Sequence, residues 1–401
     1  MVTPDSIVLA DSAAPHYSLQ VSADRKQWIA VFADATDLTL KLVRGTLTQA
    51  QASVSSTTTI DRIDVPPGIN PYFGRHAFFE HAGVEHLFYS DQELADARVT
   101  KWVFRTAASD EPWTVDLLPE AILPIAALAA TETSSAQPQF SLYGVVDTWL
   151  DDPAGAAVVA YGVRPDAVNE PSTTAVGGRR VVATGVVAAQ ADGVAGPLVS
   201  RYGCSGRNGF ATRDDAGLLL VEAAGEARRV TLRSLTGAAV PTALGCGSQG
   251  MLVVYARDDP RTMRTSSGPA LQAHEVVAMS VDRGGAVGAE VKVTLAREVS
   301  VLAVFPEPPA ADSDTPALSV LFSELALDAA DEAEHRLSLV TPEDGGYGKR
   351  VLVRGAEPVQ DLRALRVGGE LIVAFRRARE LRLLRTPIAM HADGDQSGGS
   401  W

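Results

Sequence analysis

One strand pattern recurs from end to end of this chain, and few architectures can be built from such repeats. The unit is a run of apolar residues that ends on an aromatic and is followed by small or charged residues. It reads Trp28-Ile29-Ala30-Val31-Phe32, His86-Leu87-Phe88-Tyr89, Val158-Val159-Ala160-Tyr161, Leu252-Val253-Val254-Tyr255, Ser319-Val320-Leu321-Phe322 and Leu371-Ile372-Val373-Ala374-Phe375. A weaker copy without the aromatic is Leu218-Leu219-Leu220-Val221-Glu222. The last residues of the copies fall at 32, 89, 161, 222, 255, 322 and 375. Their mean spacing of about 57 residues suits an antiparallel four-stranded blade of about 40 to 50 residues plus loops. The 33-residue interval after 222 is irregular, and Gly209-Phe210-Ala211-Thr212-Arg213 offers another second strand for that unit.

Helical periodicity is nearly absent, while short apolar runs bounded by Gly, Pro, Asp and Ser continue throughout, so the chain is expected to be all-β. Hairpins follow the anchors, for example Val99 to Phe104 with Trp113 to Leu118, and Glu275 to Ser280 with Val291 to Leu295. The last unit has a third strand at Leu381-Arg382-Leu383-Leu384 and no fourth before its polar tail, and Ser6-Ile7-Val8-Leu9-Ala10 fills that gap. The sequence therefore predicts a single closed β-propeller over residues 1–390, with seven four-stranded blades, the N-terminal strand closing the last blade, and a polar C-terminal tail over 391–401. Closure of this kind removes open sheet edges. A pair of β-sandwiches split near Pro165 to Gly178 is the rival, but it needs a break in the pattern there, and the pattern continues on both sides. Pro119 to Ala130 and Ser323 to Glu334 read as short helical decorations on loops.

Composition narrows the partners. With 35 basic and 49 acidic side chains the net charge is −14, which argues against nucleic acid or an anionic membrane surface. At 46% hydrophobic and 21% charged residues the chain is an ordinary globular one, and large-scale disorder is excluded. No membrane span is expected, because the longest apolar run, Ala121 to Ala130, is ten residues and includes Pro124, where a spanning helix needs about 20. Met1-Val2-Thr3-Pro4-Asp5 has neither the basic nor the apolar region of a signal peptide, which fits a cytoplasmic protein or a mature exported one. Cys204 and Cys246 form no metal set. If paired, they close a 43-residue loop and stabilise the fold by about 4 kcal/mol.

Ser280-Val281-Asp282-Arg283-Gly284-Gly285-Ala286-Val287 follows the Ser-x-Asp-x-Gly-x-x-aromatic spacing apart from its last residue. It resembles the Asp-box, the hairpin motif of sialidase-like propellers. Thr341-Pro342-Glu343-Asp344-Gly345-Gly346 is a degenerate version in the next unit, and Ser22-Ala23-Asp24-Arg25-Lys26-Gln27-Trp28 is one residue short and lies in a different hairpin. Asp110-Glu111-Pro112-Trp113 keeps only the acidic turn and the Trp. Such a box satisfies turn amides with Ser and Asp side chains and does no chemistry. The resemblance implies repeat architecture; the Arg-Ile-Pro sequence of the catalytic members is absent, and the residues around Arg75 do not match it. With a disulfide, the resemblance inclines toward an exported, periplasmic or extracellular protein.

Chemical motifs are scarce. Gly245-Cys246-Gly247-Ser248-Gln249-Gly250 matches a dinucleotide fingerprint, but a strand follows it instead of a helix, so it reads as a glycine-rich hairpin. His274-Glu275 has no second His at zinc-protease spacing. Gly203-Cys204-Ser205-Gly206 is not a nucleophile elbow. Asp312, Asp314, Asp328, Asp331, Glu332 and Glu334 with His335 are hard ligands that suit calcium, though not at EF-hand spacing. No other cofactor is expected.

The loops between fourth and first strands and between second and third strands share one face of a propeller, where ligands bind. The segment Pro66 to Phe73 leads there into Arg75 and His76, and the same reading adds Arg201, Tyr202, Arg207 and two insertions, Pro165 to Gly178 and Arg257 to Pro269, the latter with Arg261 and Arg264. Tyr72, Phe73, Arg75, His76, Arg201, Tyr202, Arg207, Arg261 and Arg264 are thus the candidate ligand-binding residues. Aromatic faces with arginines suit a glycan, peptide or protein partner. The first expectation is a non-catalytic binding or scaffold protein. A glycoside hydrolase would instead pair carboxylates such as Asp91 and Asp147 about 5 to 10 Å apart. A structural subunit of a surface assembly would use the outer edges.

Overall fold

A strand covered on both faces needs apolar residues at successive positions, not at alternate ones. Gln27–Asp34 (QWIAVFAD) meets that condition, with Trp28 through Ala33 all buried. The computed structural model describes residues 6–22, 24–47, 52–63, 74–81, 84–92, 100–106, 113–115, 122–129, 140–146, 157–163, 180–183, 188–191, 194–197, 200–204, 207–214, 217–222, 227–230, 242–246, 250–259, 273–282, 286–306, 318–327, 333–343 and 346–388. For most strand residues between 90 and 242 the description covers the backbone.

The described chain is all-β, in antiparallel sheets of consecutive strands. After β1 (Ser6–Ala10), the first sheet holds β2 (Ala13–Val21), β3 (Gln27–Asp34), β4 (Thr39–Thr46) and β5 (Val54–Arg62). The second holds β6 (His76–His81), β7 (Val84–Gln92), β8 (Thr100–Thr106) and β9 (Trp113–Val115). In the third are β10 (Ile122–Ala129), β11 (Phe140–Val146), β12 (Ala157–Val163) and β13 (Arg180–Ala183), followed by a separate hairpin of β14 (Ala188–Ala191) and β15 (Val194–Pro197). The fourth has β16 (Ser200–Cys204), β17 (Arg207–Asp214), β18 (Gly217–Glu222) and β19 (Ala227–Val230). The fifth has β20 (Thr242–Cys246), β21 (Gly250–Asp258), β22 (Ala273–Asp282) and β23 (Val291–Arg297), and the sixth β24 (Leu302–Pro306), β25 (Leu318–Leu327), β26 (Ala333–Glu343) and β27 (Gly346–Gly355). The seventh combines β28 (Val359–Val367), β29 (Glu370–Arg377) and β30 (Glu380–Pro387) with β1, which pairs antiparallel to β30 through Ser6↔Leu384 and Ile7↔Leu383.

First strands touch first strands: β28 meets β2, β2 meets β6, β6 meets β10, β16 meets β20, β20 meets β24 and β24 meets β28, while β10 reaches β17. Between consecutive sheets lie shared apolar clusters. Phe32 and Trp28 pack with Ile372 and Leu383, Val31 and Ile29 with Phe78 and Tyr89, Val254 and Leu252 with Phe322 and Val320, and Leu321 and Leu339 with Phe375 and Val373. The fourth strands face outward; β5 (VSSTTTIDR) is exposed along most of its length. Two bulges, between Leu40 and Lys41 and between Arg44 and Gly45, break its ladder with β4.

Three expectations change. Pro119 to Ala130 and Ser323 to Glu334 are not helical: their described parts are β10, β25 and the start of β26. Long-range pairing outweighs local propensity there, and Pro124 is accommodated at a bulge, where no ladder donor is needed. The anchors at 161 and 222 belong to third strands, β12 and β18, and the second strands are β11 and β17. With Tyr143 and Phe210 as anchors, the positions 32, 89, 143, 210, 255, 322 and 375 lose the 33-residue interval. The strands that flank Pro165 to Gly178 in sequence are thus a third and a fourth, β12 and β13, and not a second and a third; the segment itself lies outside the described residues. In the hairpin between β22 and β23, the Ala286 amide donates to Asp282 Oδ1 at 2.8 Å.

Pairing of β1 with β30 covers an edge that otherwise exposes ladder donors and acceptors. Deleting residues 1–11 is expected to cost on the order of 3 kcal/mol through lost core contacts and to cause concentration-dependent aggregation. Denaturant unfolding and light scattering read both effects; unchanged values contradict a stabilising role for the pairing.

Candidate functional site

Each first strand begins at the end of its sheet where the preceding fourth strand leads in, which we call the upper face. Polar residues gather at the upper ends of β28, β2 and β6, in the seventh, first and second sheets: Asp361 and Arg363, His16, and Arg75 with His76. Gly74 sets the approach to β6. Its φ is +74°, and a Cβ there would lie 2.6 Å from Ala33 Cβ and 3.0 Å from Ala14 Cβ, so both backbone and space demand glycine. The Gly74 carbonyl accepts a hydrogen bond from His76 Nδ1 at 2.8 Å and fixes that ring.

His16 ties two sheets together. Its Nε2 lies 2.8 Å from the His76 carbonyl, an atom that only accepts, so Nε2 carries the proton and donates. The two imidazoles meet edge to face with centroids 4.8 Å apart. Burial above all, then the positive potential of His76, Arg75 and Arg363, holds the His16 imidazole well below the usual histidine range. His16 is therefore neutral near pH 7 and keeps Nδ1 as an acceptor.

The cations are arranged around it. Arg75 is half-buried; burial pulls its guanidinium below the ordinary value, Asp361 opposing and Arg363 adding to the effect. Arg363 is exposed, donates to the Leu362 carbonyl at 3.0 Å, and stands 5.9 Å from the centre of the Tyr17 ring, a cation–π distance. Tyr17 is buried, and its hydroxyl donates to the Ala374 carbonyl at 2.9 Å; burial first, and Asp361 second, push its phenol well up, so it stays protonated. Asp361 Oδ2 accepts from Arg376 Nε at 2.9 Å. Among the described residues this corner gathers three guanidiniums, Arg75, Arg363 and Arg376, and one carboxylate, Asp361, in a chain of net charge −14.

Of the residues expected from sequence, Arg75 and His76 lie here. Arg201 and Tyr202 are in β16 of the fourth sheet, and Arg207 opens β17 opposite Cys204, at the lower end. Asp91 lies in β7 near the upper face, opposite Lys101. Tyr72, Phe73, Arg261, Arg264 and Asp147 lie outside the described residues. His16, Asp361, Arg363 and Arg376 were missed. The available signal was a polar residue near the start of a first strand, repeated at His16, Arg75-His76 and Asp361-Arg363.

For calcium, Asp312, Asp314, Asp328, Asp331 and Glu332 lie outside the described residues. Glu334 is bonded to Arg336 at 2.6 Å and to Arg354 at 2.9 Å. Among the described residues no group of three or more His, Cys, Asp or Glu gathers, and no helix is long and apolar enough to cross a membrane.

No protein-family model matches the chain, and no curated protein matches it. Similar solved structures include a polysaccharide lyase, Uly1, at 9% identity over 93% of this chain and 90% of that one, with a TM-score of 0.44. The GH93 α-L-arabinofuranosidase of Fusarium graminearum is similar at 10% identity over 96% and 98%, TM-score 0.40, and the WD40 domain of SCAP from fission yeast at 8% over 96% and 97%, TM-score 0.39.

Half-buried and neutral, His16 gives stability a pH signature. The unfolded chain protonates this group near pH 6.5, while the folded protein resists until lower pH. Its contribution is thus complete above that value and is lost as pH falls through it, by about 1.4 kcal/mol per pH unit. Unfolding free energies of wild type and His16→Gln, measured between pH 5 and 8, are expected to converge with that slope below pH 6.5. A constant difference contradicts a neutral His16.

Proposed function

We propose that the sheets are the seven blades of one closed propeller spanning residues 1–390, and that it is a non-catalytic binding protein whose upper face takes an acidic glycan. The chain of contacts between first strands and the pairing of β1 with β30 support the ring. The Asp282 turn supports a sialidase-like repeat within it. The observation that carries the binding reading is the convergence of Arg75, Arg363, His16 and His76 around Asp361, which Arg376 already neutralises. Exposed Arg363 and half-buried Arg75 offer forked donors to a carboxylate, and His16 Nδ1 offers an acceptor to a hydroxyl. A sugar acid carries both groups. Hydrolysis needs a second carboxylate facing the first across the scissile bond; the described residues bring Asp361 to this site, and it is committed to Arg376.

The test is calorimetric titration with uronate-bearing and neutral oligosaccharides. The acidic ligands are expected to bind, and Arg75→Gln or Arg363→Gln to weaken binding at least tenfold, about 1.4 kcal/mol, while leaving the unfolding midpoint near that of wild type. Equal binding of neutral sugars, or turnover of a bound glycoside, contradicts the proposal.

A further inference from the structure

Around the turn between β29 and β30 the chain reads Arg376-Arg377-Ala378-Arg379. Arg377 opposes Glu380 in the ladder, so Ala378 and Arg379 make the whole turn, at the upper end of the seventh sheet. Ala378 has a φ of +52°, a left-handed conformation that favours glycine and is strained in alanine. The turn is nonetheless fixed in place, because the Ala13 amide at the start of β2 donates to the Arg379 carbonyl at 2.8 Å. The Arg379 backbone is thereby anchored to the strand that carries His16, and its side chain is exposed.

Among the described residues, carboxylates do not absorb these charges. Arginines elsewhere are ion-paired: Arg257 with Glu275 and Glu290, Arg336 and Arg354 with Glu334, and Arg385 with Glu370. Near the turn, Glu380 is taken by Arg382 at 2.6 Å and Asp361 by Arg376 at 2.9 Å. Arg377 donates to the Arg354 carbonyl at 3.2 Å, its Nε and Nη2 are buried without an acceptor, and Glu357 and Glu380 act on it through their fields. Arg363 and Arg379 are exposed, and no described carboxylate bonds to either. They differ in depth. Arg363 opposes Ala374, three residues before Arg377, which sets it about 10 Å below the turn. An anion held at Arg363 thus has a second unpaired cation above it.

We propose that Arg379 is a second anion contact, and that the ligand of the upper face is a polyuronate chain with one carboxylate at the corner of Arg75 and Arg363 and a further one at Arg379. This rests on the acidic-glycan reading and extends it from a single sugar acid to a chain. A guanidinium fork suits a carboxylate at both points. Linking the two contacts raises affinity, because the second forms within a complex already made.

Calorimetric titration with galacturonic acid, its dimer and its tetramer reads the contacts separately. Affinity is expected to rise about tenfold or more from monomer to tetramer. Arg379→Gln is expected to weaken tetramer binding about fivefold or more, to keep monomer binding within about twofold of wild type, and to leave the unfolding midpoint in place. A tetramer that binds no tighter than the monomer overturns the second contact and leaves the corner standing, as does an Arg379→Gln protein that binds the tetramer as wild type does or loses monomer and tetramer binding equally. Absence of binding by all three ligands contradicts the corner itself and overturns the second contact with it.

Discussion

Leu321 and Phe322 are neighbours in β25 and pack in opposite directions, one into the interface with the seventh sheet and the other into that with the fifth. The same division separates Val31 from Phe32 and Val373 from Ala374. Apolar burial on both faces is the largest favourable contribution available to a stack of such sheets. It explains why the second strands read as unbroken apolar runs, and why a sheet with a bare face would be unstable. It also orders the chain: each sheet is completed before the next begins, apart from the seventh, whose last strand comes from the N-terminus.

First strands inherit a different problem. They crowd together and leave their upper ends to polar residues, so each polar group there needs a partner from another sheet. The His16 bond to the His76 carbonyl crosses from the first sheet to the second, the Tyr17 bond to the Ala374 carbonyl crosses from the first to the seventh, and the Arg363 guanidinium stands over the Tyr17 ring. The residues that join the sheets and those that make the positive corner are therefore largely the same. Gly74 is the hinge of that arrangement, since any side chain there would meet Ala33 and Ala14.

Much of this was legible in the sequence. Apolar runs ending in an aromatic located five second strands directly, and the missing fourth strand after Leu384 pointed to Ser6–Ala10, which does pair with β30. The third and fourth sheets were misread by one strand, because Val158 to Tyr161 and Leu218 to Glu222 are more apolar than the second strands Phe140–Val146 and Arg207–Asp214. That slip carried Arg207 to the wrong end and gave the Pro165 to Gly178 insertion the wrong flanking strands. Arg75 and His76 were found through their aromatic approach segment. His16 and Arg363 were not, since a single polar residue in a strand looks the same whether it faces solvent or a neighbouring sheet.

Hydrogen exchange of the protein with and without a uronate-bearing oligosaccharide places the ligand without any substitution. Binding at the positive corner slows exchange in segments 13–17, 74–78 and 359–364, which are remote in sequence and meet only at the upper ends of β2, β6 and β28. Protection in those three segments together is the expected result. Protection confined to another sheet, or to the outer strands, contradicts a site built on Arg75, His16 and Arg363.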